Sequence, residues 1–168
     1  MTDQANAGAT NDATTFNILF VCTGNTCRSP MAEAIARRMF EERGWTHVSV
    51  ASAGIGAATG APAAEHALRV AAEHGLDLTG HASRPLTPDT VAWADVILVM
   101  GPSHIAAVCE MGGADKVAMV TDFRDGEGLG APIADPFGAD EEAYRVAYDE
   151  LEDAIAAVRS RLEPILSP

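Results

Sequence analysis

Within one short stretch, Cys22-Thr23-Gly24-Asn25-Thr26-Cys27-Arg28-Ser29, the chain carries a thiol, a guanidinium and several small residues. A thiolate sulfur is a strong nucleophile, and helix N-termini and nearby cations favour the thiolate form. A guanidinium offers a planar fork that holds two oxygens of a phosphoryl group. Ser29 adds a hydroxyl that can hydrogen-bond the sulfur and ease its departure. The chemistry this suits is attack of the Cys22 sulfur on phosphorus. Arg28 and the loop formed by Thr23, Gly24, Asn25, Thr26, Cys27 and Ser29 would hold the oxygens. Phosphoryl transfer needs mostly positioning and charge stabilisation, and such a loop offers both. The leaving oxygen or nitrogen also needs a proton, which a carboxylic acid poised over the site can supply. Asp122, Asp125, Glu127 and Asp135 all qualify on chemistry alone.

The elements around the stretch must aim these groups. Asn17-Ile18-Leu19-Phe20-Val21 is an apolar run that reads as a buried strand. Pro30 to Phe40 reads as a helix, with Pro30 in the first turn where no backbone donor is needed. The stretch is therefore a tight strand-to-helix loop, with backbone N–H groups converging beside the positive end of a helix dipole. That helix is expected to run to about Arg43 and stop at Gly44. Val48-Ser49-Val50 reads as a second strand and Ser52-Ala53-Gly54 as a turn. A helix from Ala63 to about His74 follows, then a short one capped by Thr87 with Pro88 at its first position. Asp95 to Met100 is apolar on both faces and reads as a parallel strand. Ser103 is expected to cap the next helix, Lys116 to Val120 to form the fourth strand, and Asp140 to about Glu163 the last helix. Thr121 to Ala139 is a long Gly/Pro/Asp-rich loop. Alternating strands and helices predict an α/β fold: a doubly wound, four-stranded parallel sheet with helices on both faces. Ligands of such sheets bind at the C-terminal strand ends, where the Cys22 loop lies. Residues 1–15 read as a flexible tail and 16–168 as a single domain.

The composition excludes several classes. Apolar residues make up 48% of the 168, so the chain is not disordered. A net charge of −13, from 24 acids against 11 bases, argues against nucleic acid or an anionic membrane as partner. No apolar run is long enough to span a bilayer, and the N-terminus lacks signal-peptide features. Three cysteines do not suggest a secreted disulfide scaffold, so a cytoplasmic protein is expected. His47, His66, His74 and His104 read as surface or helix-face residues without metal spacing to the cysteines, and no metal or other cofactor is expected. Cys109 reads as a core residue. No Gly-Lys-Ser/Thr follows the loop, which excludes a Walker nucleotide site.

The Cys-x5-Arg-Ser pattern after a first strand resembles the low-molecular-weight protein tyrosine phosphatase family. The longer string from Cys22 to Glu33 resembles its bacterial protein-arginine phosphatase branch. Ser52-Ala53-Gly54, His81-x-Ser83-x-x-Leu86-Thr87 and Asp135-Pro136-Phe137-Gly138 match further segments of that family. The resemblance implies Cys22 as nucleophile, Arg28 as phosphate holder and Asp135, the Asp before Pro in the last long loop, as general acid. It implies that Asn25, Ser29, Ser52 and His81 support the loop. It also implies a reversible disulfide between Cys27 and Cys22 under oxidation. The substrate implied is a phosphorylated protein, and two positions lean toward phosphoarginine over phosphotyrosine. Thr26 stands where tyrosine phosphatases usually carry a larger aliphatic residue. Phe137-Gly138 replaces the aromatic pair that many of them carry after the Asp-Pro. The chain also has Gly101-Pro102-Ser103-His104 where those enzymes often carry an acid. Thioredoxin-coupled arsenate reductases share the loop but need a relay of further cysteines, and only Cys109 is near.

Overall fold

A computed structural model describes residues 15–124 and 130–166. The expected tail, Thr15 apart, and the candidate acids Asp125 and Glu127 lie outside the described residues.

Four strands form one parallel sheet in the order β2-β1-β3-β4. They are β1 (Phe16–Cys22), β2 (Val48–Gly54), β3 (Val96–Val99) and β4 (Val117–Met119). The helices are α1 (Arg28–Glu42), α2 (Glu65–Glu73), α3 (Pro88–Trp93), α4 (Pro102–Glu110) and α5 (Glu141–Leu166). The alternation along β1 sorts the core into two layers, because successive side chains of a strand point to opposite faces. Ile18, Phe20 and Cys22 face a cluster with Met31 and Ile35 of α1, Val70 of α2, and Tyr148 and Leu151 of α5. Leu19 and Val21 face Val91 of α3 and Val108 of α4. The sheet is thus doubly wound, as expected. After β2 the chain crosses to the other side of β1, so the strand order reverses between β1 and β3. That crevice is where such sheets bind ligands.

Several element ends shift by one to three residues, and four differences from expectation bear on the site. Ser52-Ala53-Gly54 is not a turn but the end of β2, in register with Phe20, Val21 and Cys22 of β1. Backbone pairing with a central strand outweighs the turn propensity of small residues. α2 starts at Glu65, with Ala64 as its N-cap. Gly101, not Ser103, is the N-cap of α4, and Pro102 opens the helix, since Pro suits a first-turn position. The long loop begins with a 3-10 turn over Val120–Phe123, in which Asp122 Oδ2 accepts from Met119 N at 2.9 Å.

The thiol of Cys109 is exposed rather than in the core, because α4 turns Val108 and His104 inward instead. His104 is 2% exposed and is no surface residue. His66, on α2, pairs with Glu141, and His74, at the C-cap of α2, stacks on Tyr148. Among the described residues no helix is long and apolar enough to cross a membrane.

Candidate active site

The loop between β1 and α1 is shaped by where its carbonyls go. Cys22 O accepts from Ile55 N, Thr23 O from Gly56 N, Thr26 O from Ala64 N and Cys27 O from Met31 N. Asn25 O accepts from His81 Nε2 at 2.7 Å. In a trans peptide the N–H points opposite to the C=O. Four carbonyls tied to segments outside the loop, and a fifth to the first turn of α1, therefore turn the intervening amides inward. α1 adds its free N-terminal donors, since Cys27 at its N-cap makes no side-chain capping bond.

Asn25 holds the bend. Its φ of +57° is the only positive value at a non-glycine position among the described residues. Asn tolerates this left-handed conformation better than most residues. Its side chain is fully buried and spends every polar atom. Oδ1 accepts from Arg84 N at 2.9 Å, and Nδ2 donates to Ser29 Oγ at 2.8 Å and to Ser52 Oγ at 3.0 Å. Ser52 in turn donates to Glu33 Oε1 at 2.6 Å. This sets the polarity of the chain of bonds. Ser29 accepts from Asn25, so its own hydrogen is left for Cys22 Sγ, 2.9 Å away. Asn25 N also donates to that sulfur at 3.3 Å. Cys22 Sγ therefore sits as an acceptor at the floor of the loop. Glu33 is a member of this network that sequence reasoning missed; one turn into an exposed-looking helix, it carried no signal.

Arg28 is 6% exposed and arches over the floor. Its Nη1 donates to Ile133 O at 3.0 Å, and its Nη2 lies 3.5 Å from Asp135 Oδ2. Its buried Nε has no hydrogen-bond partner in the protein. A buried donor left unpaired is costly, and a bound oxyanion removes that cost. Asp135 stands at the rim, half-exposed, in a turn closed by its own Oδ1 accepting from Phe137 N at 3.1 Å. Cys22, Thr23, Gly24, Thr26, Cys27, Arg28, Asp135 and Phe137 line one cavity of about 200 Å³. A larger cleft of about 380 Å³ beside Arg37 and Trp45 is lined by no cysteine, so size does not locate the thiol chemistry here.

Cys27 Sγ lies 3.3 Å from the Tyr144 hydroxyl and 3.7 Å from Thr26 Oγ1. Burial pushes the Cys27 thiol above its ordinary value, and the bonds to Tyr144 and Thr26 oppose this. Tyr144 is likewise pushed up, first by burial and then by the bond to Cys27. Cys22 and Cys27 are both free thiols. Across the crevice, Thr23 Oγ1 meets His104 Nε2 at 3.0 Å. Every residue expected to hold phosphate or support the loop is brought together here. Of the competing acids, Asp122 instead bonds to Met119 N.

Comparison with known proteins places this site in context. Residues 17–164 match the sequence profile described as low molecular weight phosphotyrosine protein phosphatase. The protein-arginine-phosphatase of Geobacillus stearothermophilus is 40% identical over 88% of this chain and 97% of its own. The low molecular weight protein-tyrosine-phosphatase Wzb of Escherichia coli (strain K12) is 39% identical over 81% of this chain and 88% of its own. Among solved structures, a Cys-to-Ser mutant of YwlE arginine phosphatase with a phosphorylated active-site serine gives a TM-score of 0.81 at 35% identity, covering 88% of this chain and 96% of that one. The tyrosine phosphatase Wzb from Escherichia coli K30 in complex with sulphate gives 0.79 at 32% identity, covering 88% and 99%. The chain belongs to the low molecular weight phosphotyrosine protein phosphatase family, and it is a cysteine-dependent phosphatase.

Proposed function

We propose that this phosphatase hydrolyses phosphoarginine in proteins, with Cys22 as nucleophile, Arg28 as oxyanion holder and Asp135 as general acid and base. The observation that carries the assignment of roles is that the Cys22 sulfur, the Arg28 guanidinium and the Asp135 carboxyl line one small cavity. The substrate's phosphoryl oxygens take the loop amides and the Arg28 fork. Cys22 Sγ attacks phosphorus, an S–P bond forms and the P–N bond breaks. The leaving guanidine nitrogen takes a proton from Asp135. A water then attacks the cysteinyl phosphate and gives its proton to Asp135. The P–S bond breaks, and phosphate leaves with the thiolate restored. The relative whose cysteine-to-serine mutant carries a phosphorylated active-site serine supports a phosphoenzyme at the equivalent of Cys22. In this scheme Ser29 eases departure of the sulfur, and Asn25, Ser52 and His81 hold the loop in shape.

Thr26 carries the choice of substrate. Its side chain lines the cavity next to Cys27. A hydroxyl there offers a polar partner to a guanidinium and less apolar wall to a tyrosine ring. Relatives named for arginine and for tyrosine are about equally similar, so overall identity does not decide. Against the expectation that Phe137-Gly138 leans toward phosphoarginine, one observation favours phosphotyrosine: Phe137 is 75% exposed on the cavity rim, where a ring can stack. Turnover of phosphoarginine and phosphotyrosine peptides of matched sequence separates the two. The expected result is a preference for phosphoarginine that Thr26→Ile shifts toward tyrosine. A strong tyrosine preference in the native enzyme would end the arginine reading.

A further inference from the structure

We infer that His104 is a positioning residue for this reaction: its ring clamps the Thr23 hydroxyl across the β1–β3 crevice and fixes the Cys22–Thr23 end of the phosphate loop. The inference rests on Cys22 being the nucleophile. The Asn25 end of the loop is tied by Ser52, Arg84 and His81. The Cys22–Thr23 end is held to the β2 side through Ile55 N and Gly56 N. From the β3 side it is held by His104.

The ring's two bonds fix its state. Gly101 N–H donates to Nδ1 at 3.0 Å, so Nδ1 is an acceptor. The neutral ring then carries its hydrogen on Nε2 and donates it to Thr23 Oγ1 at 3.0 Å. Burial, and then the nearby Arg28 charge, depress His104 to about 4, against a smaller opposing pull from Asp135. The polarity of the clamp is therefore constant through the neutral range. Thr23 accepts from the ring and keeps its own hydrogen as a donor. Thr23 also lines the catalytic cavity and directly follows the nucleophile. A hydroxyl oriented in this way adds a donor to the wall around the oxyanion. Misplacing it moves the backbone next to the attacking sulfur.

The test measures kcat/KM on p-nitrophenyl phosphate and the inhibition constant of inorganic phosphate. The variants are Thr23→Val, Thr23→Ser, His104→Leu, His104→Gln and the Thr23→Val/His104→Leu double. Thr23→Val and His104→Leu are each expected to weaken both readouts about 5- to 10-fold, the scale of one neutral hydrogen bond. The double variant loses no more than either single, because the two residues share one interaction. Thr23→Ser, which keeps the hydroxyl, loses less than Thr23→Val in both readouts, and His104→Gln, which retains a donor, recovers part of what His104→Leu loses. Both readouts are taken at a temperature where every variant is folded, so that the stability cost of unpairing the buried His104 N–H does not enter them and positioning is separated from folding. Losses that multiply in the double variant, or a Thr23→Val enzyme equal to the native one, overturn the inference. If His104→Leu does not fold, Thr23→Val against Thr23→Ser and His104→Gln decides the matter. Cys22→Ser in the same series isolates the underlying reading: turnover that survives it removes the nucleophile and not merely the clamp.

Discussion

Asn25 shows how much one residue carries. Its side chain bonds to Ser29, Ser52 and the Arg84 amide, and its carbonyl to His81, from a left-handed backbone position. The motif made this residue legible, but its partners, distant in the sequence, became visible only through the fold. Asp135 was singled out from four candidate acids by the family resemblance of its Asp-Pro segment, and its carboxyl lies 3.5 Å from Arg28 Nη2. Asp135→Asn should slow kcat at least 100-fold, the usual scale for losing a general acid. The effect should be largest on substrates with poor leaving groups, as single-turnover kinetics will show. An unchanged rate on such a substrate would return the role to another acid. His104 was not legible, because a lone histidine in a helix gives no sign of which way it faces. Its depressed value makes a second prediction. In the unfolded chain the ring titrates near its ordinary value of about 6.5, but in the fold it titrates at about 4. The unfolded state therefore binds more protons between those values, and stability falls as pH drops through that window. Urea midpoints at pH 7 and pH 5 should differ less in His104→Gln than in the native protein.

At the scale of elements, β2 is where the sequence misled. Ser52-Ala53-Gly54 has turn composition, yet it completes the strand because β1 offers backbone partners to its end. Small residues are needed there for a different reason. A Cβ on Gly54 would lie 2.5 Å from Thr23 O and 2.9 Å from Asn25 N. Both are backbone atoms of the phosphate loop and cannot swing aside. Gly54→Ala should therefore destabilise the fold by about 1–3 kcal/mol, as overpacking usually does. It should also weaken inhibition by phosphate more than a distant change of equal stability cost. Denaturant melts paired with inhibition constants measure both. α4 misled in a second way: the Ser103 hydroxyl suggested a cap, but Gly101 and Pro102 fix the helix start. That shift brings His104 beneath the helix to face the β1–β3 crevice.

Across the whole molecule, the alternation of strands and helices made the doubly wound sheet readable, because each apolar run has the length of one element. The sorting of helices to faces was not readable from composition, and it decides which residues of β1 reach the site. Cys22 points toward the α1 and α5 side, where Tyr144 of α5 holds Cys27. With a net charge of −13, the overall field opposes a phosphorylated ligand, and only local donors draw it in. Those donors exist because the carbonyls of the loop are moored to α1 and to segments between Ile55 and His81. The mooring has a thermodynamic corollary. An anion filling the loop engages a geometry that no unfolded chain retains, so ligation and folding are linked. Vanadate or phosphate at a hundredfold its dissociation constant should add about 2.7 kcal/mol to the unfolding free energy. Calorimetry would register this as a rise in melting temperature with anion concentration. A scan that anion leaves unmoved would mean that the cradle is not assembled by the fold at all.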